Sequence, residues 1–202
     1  MGNVVAEITM SLDGFVAGPN DRVGRGLGDG GEVLHNWVMG GDWTYQGGAP
    51  FAATGIDKAL LDESFRTAGS VVMGRRTFDF TQGWGDDPPF HMPCFVLTRR
   101  GQETLVKGDT SFTFVTDGVE KAVEQAKTAA GEHNVSVMGG ARAIQECLRA
   151  RLVDEIALHV APVLLGAGKR LFDGLAPDLI KLKSTRIIES PFATHMRYRV
   201  LN

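Results

Sequence analysis

The stretch Val71-Val72-Met73-Gly74-Arg75-Arg76-Thr77-Phe78 constrains this chain more than any other. A short apolar, β-branched run ends on glycine, and two arginines and a threonine follow at once. This reads as a buried strand turning into the start of a helix. Gly74 permits a sharp turn or a close backbone approach. The N–H groups beyond it and the two cations offer a place for an anion. Two later strand ends have the same character, Val96-Leu97-Thr98-Arg99-Arg100 and Val137-Met138-Gly139-Gly140-Ala141-Arg142. Each alone also fits an ordinary turn with solvated arginines. Three together imply one ligand with several phosphates, most simply a dinucleotide, bound outside the carboxyl ends of the strands. The G-x-G-x-x-G fingerprint is absent, so the nucleotide site is of another type.

The rest of the chain supplies the frame. Residues 4–10 read as a strand, and Ser11-Leu12-Asp13-Gly14 as the turn leaving it. Residues 18–55 form a long connection rich in glycine, including Gly47 and Gly48, with a short helix near residues 32–39. A loop of that length is expected to be a lid or binding loop, and Trp37, Trp43 and Tyr45 argue against full disorder. Thr54 and Asp57 have capping-box spacing before a helix that ends near Thr67. Further strands are expected at residues 71–73, 94–98, 112–115, 135–138 and Glu155–Ala161. Helices open near Arg75, after Asp117 with Glu120 as its cap, and over residues 141–150. Lys181–Glu189 and Thr194–Leu201 read as a closing pair around Ser190-Pro191-Phe192. Strands that alternate with helices and then follow one another predict an α/β fold. Its sheet is mostly parallel, with helices on both faces and an antiparallel C-terminal edge, in a single domain over residues 1–202.

Composition excludes several functions. A net charge of -3 argues against a broad nucleic-acid-binding face. No apolar run approaches the ~20 residues of a membrane span. No basic segment followed by an apolar one opens the chain, so the expected location is the cytoplasm. Cys94 and Cys147 belong to no C-x-x-C pair, which speaks against a disulfide framework or a structural metal.

Ser11-Leu12-Asp13-Gly14, Gly74-Arg75-Arg76-Thr77, Leu97-Thr98-Arg99-Arg100 and Met138-Gly139-Gly140 occur in the same order as in the dihydrofolate reductase superfamily, which the chain resembles over nearly its whole length. The segment from Leu152 to Gly166 resembles one branch, the C-terminal reductase domain of RibD-type riboflavin-biosynthesis proteins and its stand-alone bacterial relatives. The resemblance implies a dihydrofolate reductase-like fold with a central eight-stranded sheet, and NADPH as hydride donor. By motif position, Gly74, Arg75, Arg76 and Thr77 would hold cofactor phosphates. Thr98 and Arg99 would meet the adenosine ribose and its 2′-phosphate, a group suited to a guanidinium fork. Gly139, Gly140, Ala141 and Arg142 would face the pyrophosphate, with a cis peptide joining the two glycines.

The acid that folate reductases carry on their first helix falls nearest Asp57, which also reads as a helix cap. Leu158 precedes His159 where folate reductases commonly have Thr, and a Leu cannot supply that hydrogen bond. His159 itself reads as a packed strand residue. Asp13 is either a turn former or a polar contact to substrate; Trp37, in the lid, would also face the substrate. In the riboflavin branch the region of Lys169 and Arg170 lies near the substrate and could meet its phosphate. Pro93-Cys94 is not followed by a second Cys, so no zinc deaminase accompanies the reductase. The implied activity is an NADPH-dependent reduction of a small imine or sugar carbonyl, nearest to that of 5-amino-6-(5-phosphoribosylamino)uracil reductase, in a homodimer formed through the late strands. A dihydrofolate reductase and a non-catalytic NADPH-binding module are the alternatives.

Overall fold

A computed structural model describes residues 2–45, 51–175 and 179–201, so Gly47 and Gly48 of the long connection lie outside the described residues. The central strand, β1 (Val4–Ser11), alternates in character. Val4, Ala6, Ile8 and Met10 belong to the larger core cluster, while Glu7, Thr9 and Ser11 share the other face. The short β2 (Phe15–Ala17) follows, then a 3-10 turn (Gly31–His35) and α1 (Asn36–Met39). Next come α2 (Gly55–Thr67), β3 (Ala68–Gly74), α3 (Arg75–Phe80), β4 (Pro93–Leu97), β5 (Leu105–Lys107) and β6 (Thr110–Val115). The chain continues through α4 (Val119–Ala130), β7 (Asn134–Met138), α5 (Ala141–Arg149), β8 (Glu155–Ala161), β9 (Lys169–Arg170), β10 (Lys181–Glu189) and β11 (Thr194–Leu201).

Nine strands form the main sheet in the order β10-β11-β8-β1-β7-β3-β4-β6-β5. The pairs from β8 to β6 are parallel; β10, β11 and β5 add antiparallel partners at the two edges. The count exceeds the eight that the resemblance implied. The three-residue strands β2 and β5 and the two-residue β9 are too short to show a period in sequence. Strands β2 and β9 pair separately as a small ribbon.

On one face of the sheet, α4 buries Val119, Ala122, Val123, Ala126 and Ala130, a helical stripe. Together with Ile144, Cys147 and Leu148 of α5 it covers the face of β1 that carries Val4 and Ala6. Helices α2 and α3 lie on the opposite face, over Val71, Met73, Phe112 and Phe114. Both cysteines are free and buried; burial pushes the Cys147 thiol up to about 12 and the Cys94 thiol further still.

Neither expected capping box forms. Thr54 precedes α2 in an extended conformation without a side-chain bond to the helix, and Gly118, not Asp117, occupies the position before α4. Asp57 is withdrawn from capping by a stronger partner described below. Among the described residues, no helix is long and apolar enough to cross a membrane.

Candidate active site

Strands β7, β3 and β4 are parallel neighbours, so the three phosphate-type motifs lie side by side at the carboxyl ends of these strands. With strands about 4.8 Å apart, they span roughly 10 Å. Gly74 pairs with Leu97, and its N–H donates to the Gly139 carbonyl at 3.1 Å. The Gly139–Gly140 peptide is cis, as the resemblance implied. A Cβ on Gly139 would stand 3.0 Å from Cγ2 of Thr77, so a larger residue would press these two motifs apart.

Around this rim the cations take local partners. Arg75 donates to Asp79 at 2.7 Å and to Gln102 at 3.2 Å, and its guanidinium lies over Phe114. Arg142 pairs with Glu146 one turn along α5. The Thr98 hydroxyl accepts the Arg100 N–H at 3.0 Å and so holds the turn that exposes Arg99. Ala143 is the first residue of α5 whose N–H meets a backbone carbonyl, that of Gly140; the Ala141 and Arg142 amides, in the first turn, are left without a backbone acceptor among the described residues. These donors fit a pyrophosphate and a separate phosphate.

A second group sits one strand away, inside the protein. Glu7 of β1 lies opposite Met138, the residue before the glycine pair. From Glu7 a line of hydrogen bonds crosses β8 and β11. Glu7 Oε1 meets His159 Nε2 at 3.2 Å; His159 Nδ1 meets His195 Nδ1 at 2.7 Å; His195 Nε2 meets Asp57 Oδ1 at 2.8 Å. Register explains the meeting, because Thr9 pairs with His159 and His159 pairs with His195. Asp57 is the only buried residue of α2. Ser64, two turns along that helix, donates to Glu7 at the other end of the line. Trp37 lies across the imidazoles, 4.1 Å from the His159 ring, and donates from Nε1 to Thr9 Oγ1 at 2.8 Å.

Three links joining two carboxylates and two imidazoles are all made when three protons are shared among them, which leaves one net negative charge. Burial and the neighbouring His159 push His195 down, with Asp57 opposing. This favours His195 as the neutral imidazole, accepting at Nδ1 and donating from Nε2 to Asp57. Burial pushes Glu7 up, but the His159 hydrogen bond and charge, with Ser64 and Arg197, bring it net below its ordinary range. Titratable groups perturbed by burial and by a specific charged neighbour in this way are typical of sites that move protons. Glu7 keeps contact with a cleft lined also by Leu60, Glu63, Ser64, Arg186 and Arg197.

The remaining expected residues fall elsewhere. Asp13 accepts from the Ser11 hydroxyl at 2.6 Å and from the Leu165 and Gly166 amides; the Ser11 bond leads in holding its carboxyl down to about 2. It clips the loop after β8 to the turn after β1. Arg170 lies over Phe15 and donates to the Asp13 carbonyl. Gly168, with φ at +130° and no room for a Cβ against Ala17, brings Lys169 to Asp21. Trp37 is buried and fixed by Thr9, so it forms a wall of the interior site where a lid residue was expected. His159 is packed, as expected, yet both of its ring nitrogens are bonded. Leu158 points into the opposite core, so its lack of a hydroxyl does not affect this face.

Glu7, Thr9, Ser64 and His195 were not singled out from the sequence. The signal for two of them was present: in Glu7-Ile8-Thr9-Met10-Ser11, polar residues take every second position of a central strand.

A family model, the RibD C-terminal domain, matches residues 3–192. The chain belongs to the RibD C-terminal domain family. The uncharacterized protein YyaP of Bacillus subtilis (strain 168) is 25% identical over 199 residues, covering 93% of this chain and 89% of that protein. YwjB of the same organism is 27% identical over 124 residues, 60% of this chain and 69% of that one. Among solved structures, a protein from Shewanella sp. PV-4 named for riboflavin biosynthesis superposes with a TM-score of 0.70 at 22% identity, covering 99% of both chains. The Thermotoga maritima diaminohydroxyphosphoribosylaminopyrimidine deaminase/5-amino-6-(5-phosphoribosylamino)uracil reductase matches with a TM-score of 0.65 at 14% identity. That match covers 99% of this chain and 57% of that protein. At these identities the structures show the shared dihydrofolate reductase-like fold. The family is one of reductases.

Proposed function

We propose that this chain is an NADPH-dependent reductase acting on a small imine or sugar carbonyl, resembling 5-amino-6-(5-phosphoribosylamino)uracil reductase. One observation carries the reading: a buried acid–base line begins on the strand next to three adjacent strand ends rich in phosphate-type donors. NADPH, when bound, supplies a hydride. Gly74, Thr77, Gly139, Gly140 and the Ala141 and Arg142 amides would hold its pyrophosphate, and Thr98 with Arg99 its 2′-phosphate. The chain's own part is to orient the ligand, exclude water and supply a proton. Asp57 would deliver that proton after taking it from His195 Nε2, and His159 and Glu7 would replenish His195 from the cleft side. Trp37 closes the site against water.

The test is a titration of the protein with NADPH and with NADH, followed by tryptophan fluorescence, repeated with Arg99→Ala. Wild type should prefer NADPH, and Arg99→Ala should weaken NADPH about tenfold while leaving NADH little changed. Equal losses for both would remove Arg99 from 2′-phosphate recognition. No binding of either would end the reductase reading.

A homodimer through the late strands belongs to the same proposal. Edge strand β10 is almost wholly exposed and presents Leu182 and Ile187, at 42% and 60% exposure, among Lys181, Lys183 and Arg186. Light scattering should give twice the 21.8 kDa chain mass at micromolar concentration; the mass of one chain would refute the dimer.

A further inference from the structure

Asp21 lies in the turn after β2 and joins two cations from distant parts of the chain. Arg76 Nε donates to its Oδ2 at 3.1 Å, and Arg76 Nη2 donates to its Oδ1 at 2.9 Å and to its carbonyl at 3.2 Å. Lys169 Nζ stands 2.6 Å from both carboxylate oxygens. The Asp21 side chain is only 10% exposed, while those of Arg76 and Lys169 are 57% and 40% exposed. A guanidinium fork and an ammonium converging on two oxygens is also the donor set that grips a phosphate.

The charges do not balance. Two cations share one carboxylate, whereas a phosphate dianion would match them. Arg76 is fixed from behind by Phe80, 4.3 Å from its guanidinium, so its fork stays aimed at the same point when its partner changes. The base of the Asp21 turn is pinned separately: Gly18 N–H donates to Leu27, and Asp29 N–H to Pro19, each at 2.8 Å. Between those anchors the tip is held to α3 by Asp21 and by one long bond, Gly24 N–H to the Phe80 carbonyl at 3.4 Å. The cation side of each pair is 57% or 40% exposed, so water and a solvent anion reach Arg76 and Lys169 directly and compete there with Asp21.

We infer that Arg76 and Lys169 form a single phosphate subsite and that Asp21 is its resident counter-ion, displaced when a phosphate group binds. Lys169 thereby joins the rim beside Arg76. The ligand's identity rests on the cofactor reading above; the subsite itself does not. Burial pushes Asp21 up, but Arg76 and Lys169 more than reverse this and keep it charged at neutral pH.

Inorganic pyrophosphate is the probe, by calorimetry at fixed ionic strength. Asp21→Asn keeps the shape and removes the charge, and should bind pyrophosphate about tenfold more tightly than wild type. Adding Lys169→Gln to that variant should take most of the gain away. Unchanged or weaker binding by Asp21→Asn overturns the inference, since a carboxylate that merely positions the cations would give a loss. A measurement on wild type covers a variant that folds poorly. Pyrophosphate should speed amide hydrogen exchange in residues 20–25, and unchanged or slower exchange there overturns the displacement. Tighter pyrophosphate binding without NADPH binding would keep the subsite and sink the reductase; NADPH binding that ignores Asp21 would do the reverse.

Discussion

At the strand ends Arg75 and Arg142, and on the small ribbon Lys169, stand partly in water, each beside an acid close along the helix or on a neighbouring loop. Inside, Asp57, His195, His159 and Glu7 face one another, and Asp57 and His195 have side chains only 5% exposed. The rim uses partly solvated charge, which a ligand can reach without first breaking into the core. The interior uses charge already removed from water, where each group depends on the next. Proximity to one ligand therefore does not make the two regions energetically alike. Changes at the rim should alter binding and leave folding alone; changes in the line should alter both.

The largest contrast is between a matched pair of variants. Asp57→Ala leaves His195 Nε2 with only the Ser190 hydroxyl, 3.2 Å away, and should destabilise the protein by about 3 kcal/mol in urea. Arg142→Ala removes a surface i,i+4 pair whose arginine is 75% exposed, and should cost less than about 0.5 kcal/mol. Similar losses for the two would erase the distinction between rim and interior.

Acid sharpens it further. His195 and Glu7 are both held below their ordinary values of 6.5 and 4.5. Burial also pushes His35, which stacks on Trp43, down to about 4. A depressed group binds fewer protons folded than unfolded, so stability rises with pH across the interval between its two values. For the histidines the contribution is complete above pH 6.5 and is lost as the pH falls from there through the folded value; Glu7 adds its loss below 4.5. Unfolding free energies from urea titrations at pH 7.5 and 4.5 should differ by about 2 kcal/mol, and His35→Gln should shrink the gap. A flat profile would show that the interior imidazoles titrate as freely as those in solvent.

Much of the rim was legible in sequence because its parts are local. In Gly74-Arg75-Arg76-Thr77 and Gly139-Gly140-Ala141-Arg142 the strand end, turn and donors are consecutive residues, so their order already states their geometry. The interior line was not. Asp57 reads as a cap because Thr54 stands three residues before it, and as an acid only through the family resemblance; its partner His195 is 138 residues away. His159 looked like any packed strand residue until β11 brought His195 beside it. The short β5 and β9 have no periodicity of their own and exist only through their neighbours.

By itself, then, the sequence determined the α/β alternation, the antiparallel closing pair and the phosphate-type strand ends. These follow from hydrophobic period, glycine and helix starts, which act over a few residues. Only the tertiary structure decided which polar groups are buried together. Parallel strand order and register place Glu7, His159 and His195 on one face, α2 lowers Asp57 onto them, and a loop carries Asp21 between Arg76 and Lys169. The reason is physical: a charge leaves water only where a partner already waits, and that partner is chosen by folding, not by the chain's neighbours in sequence.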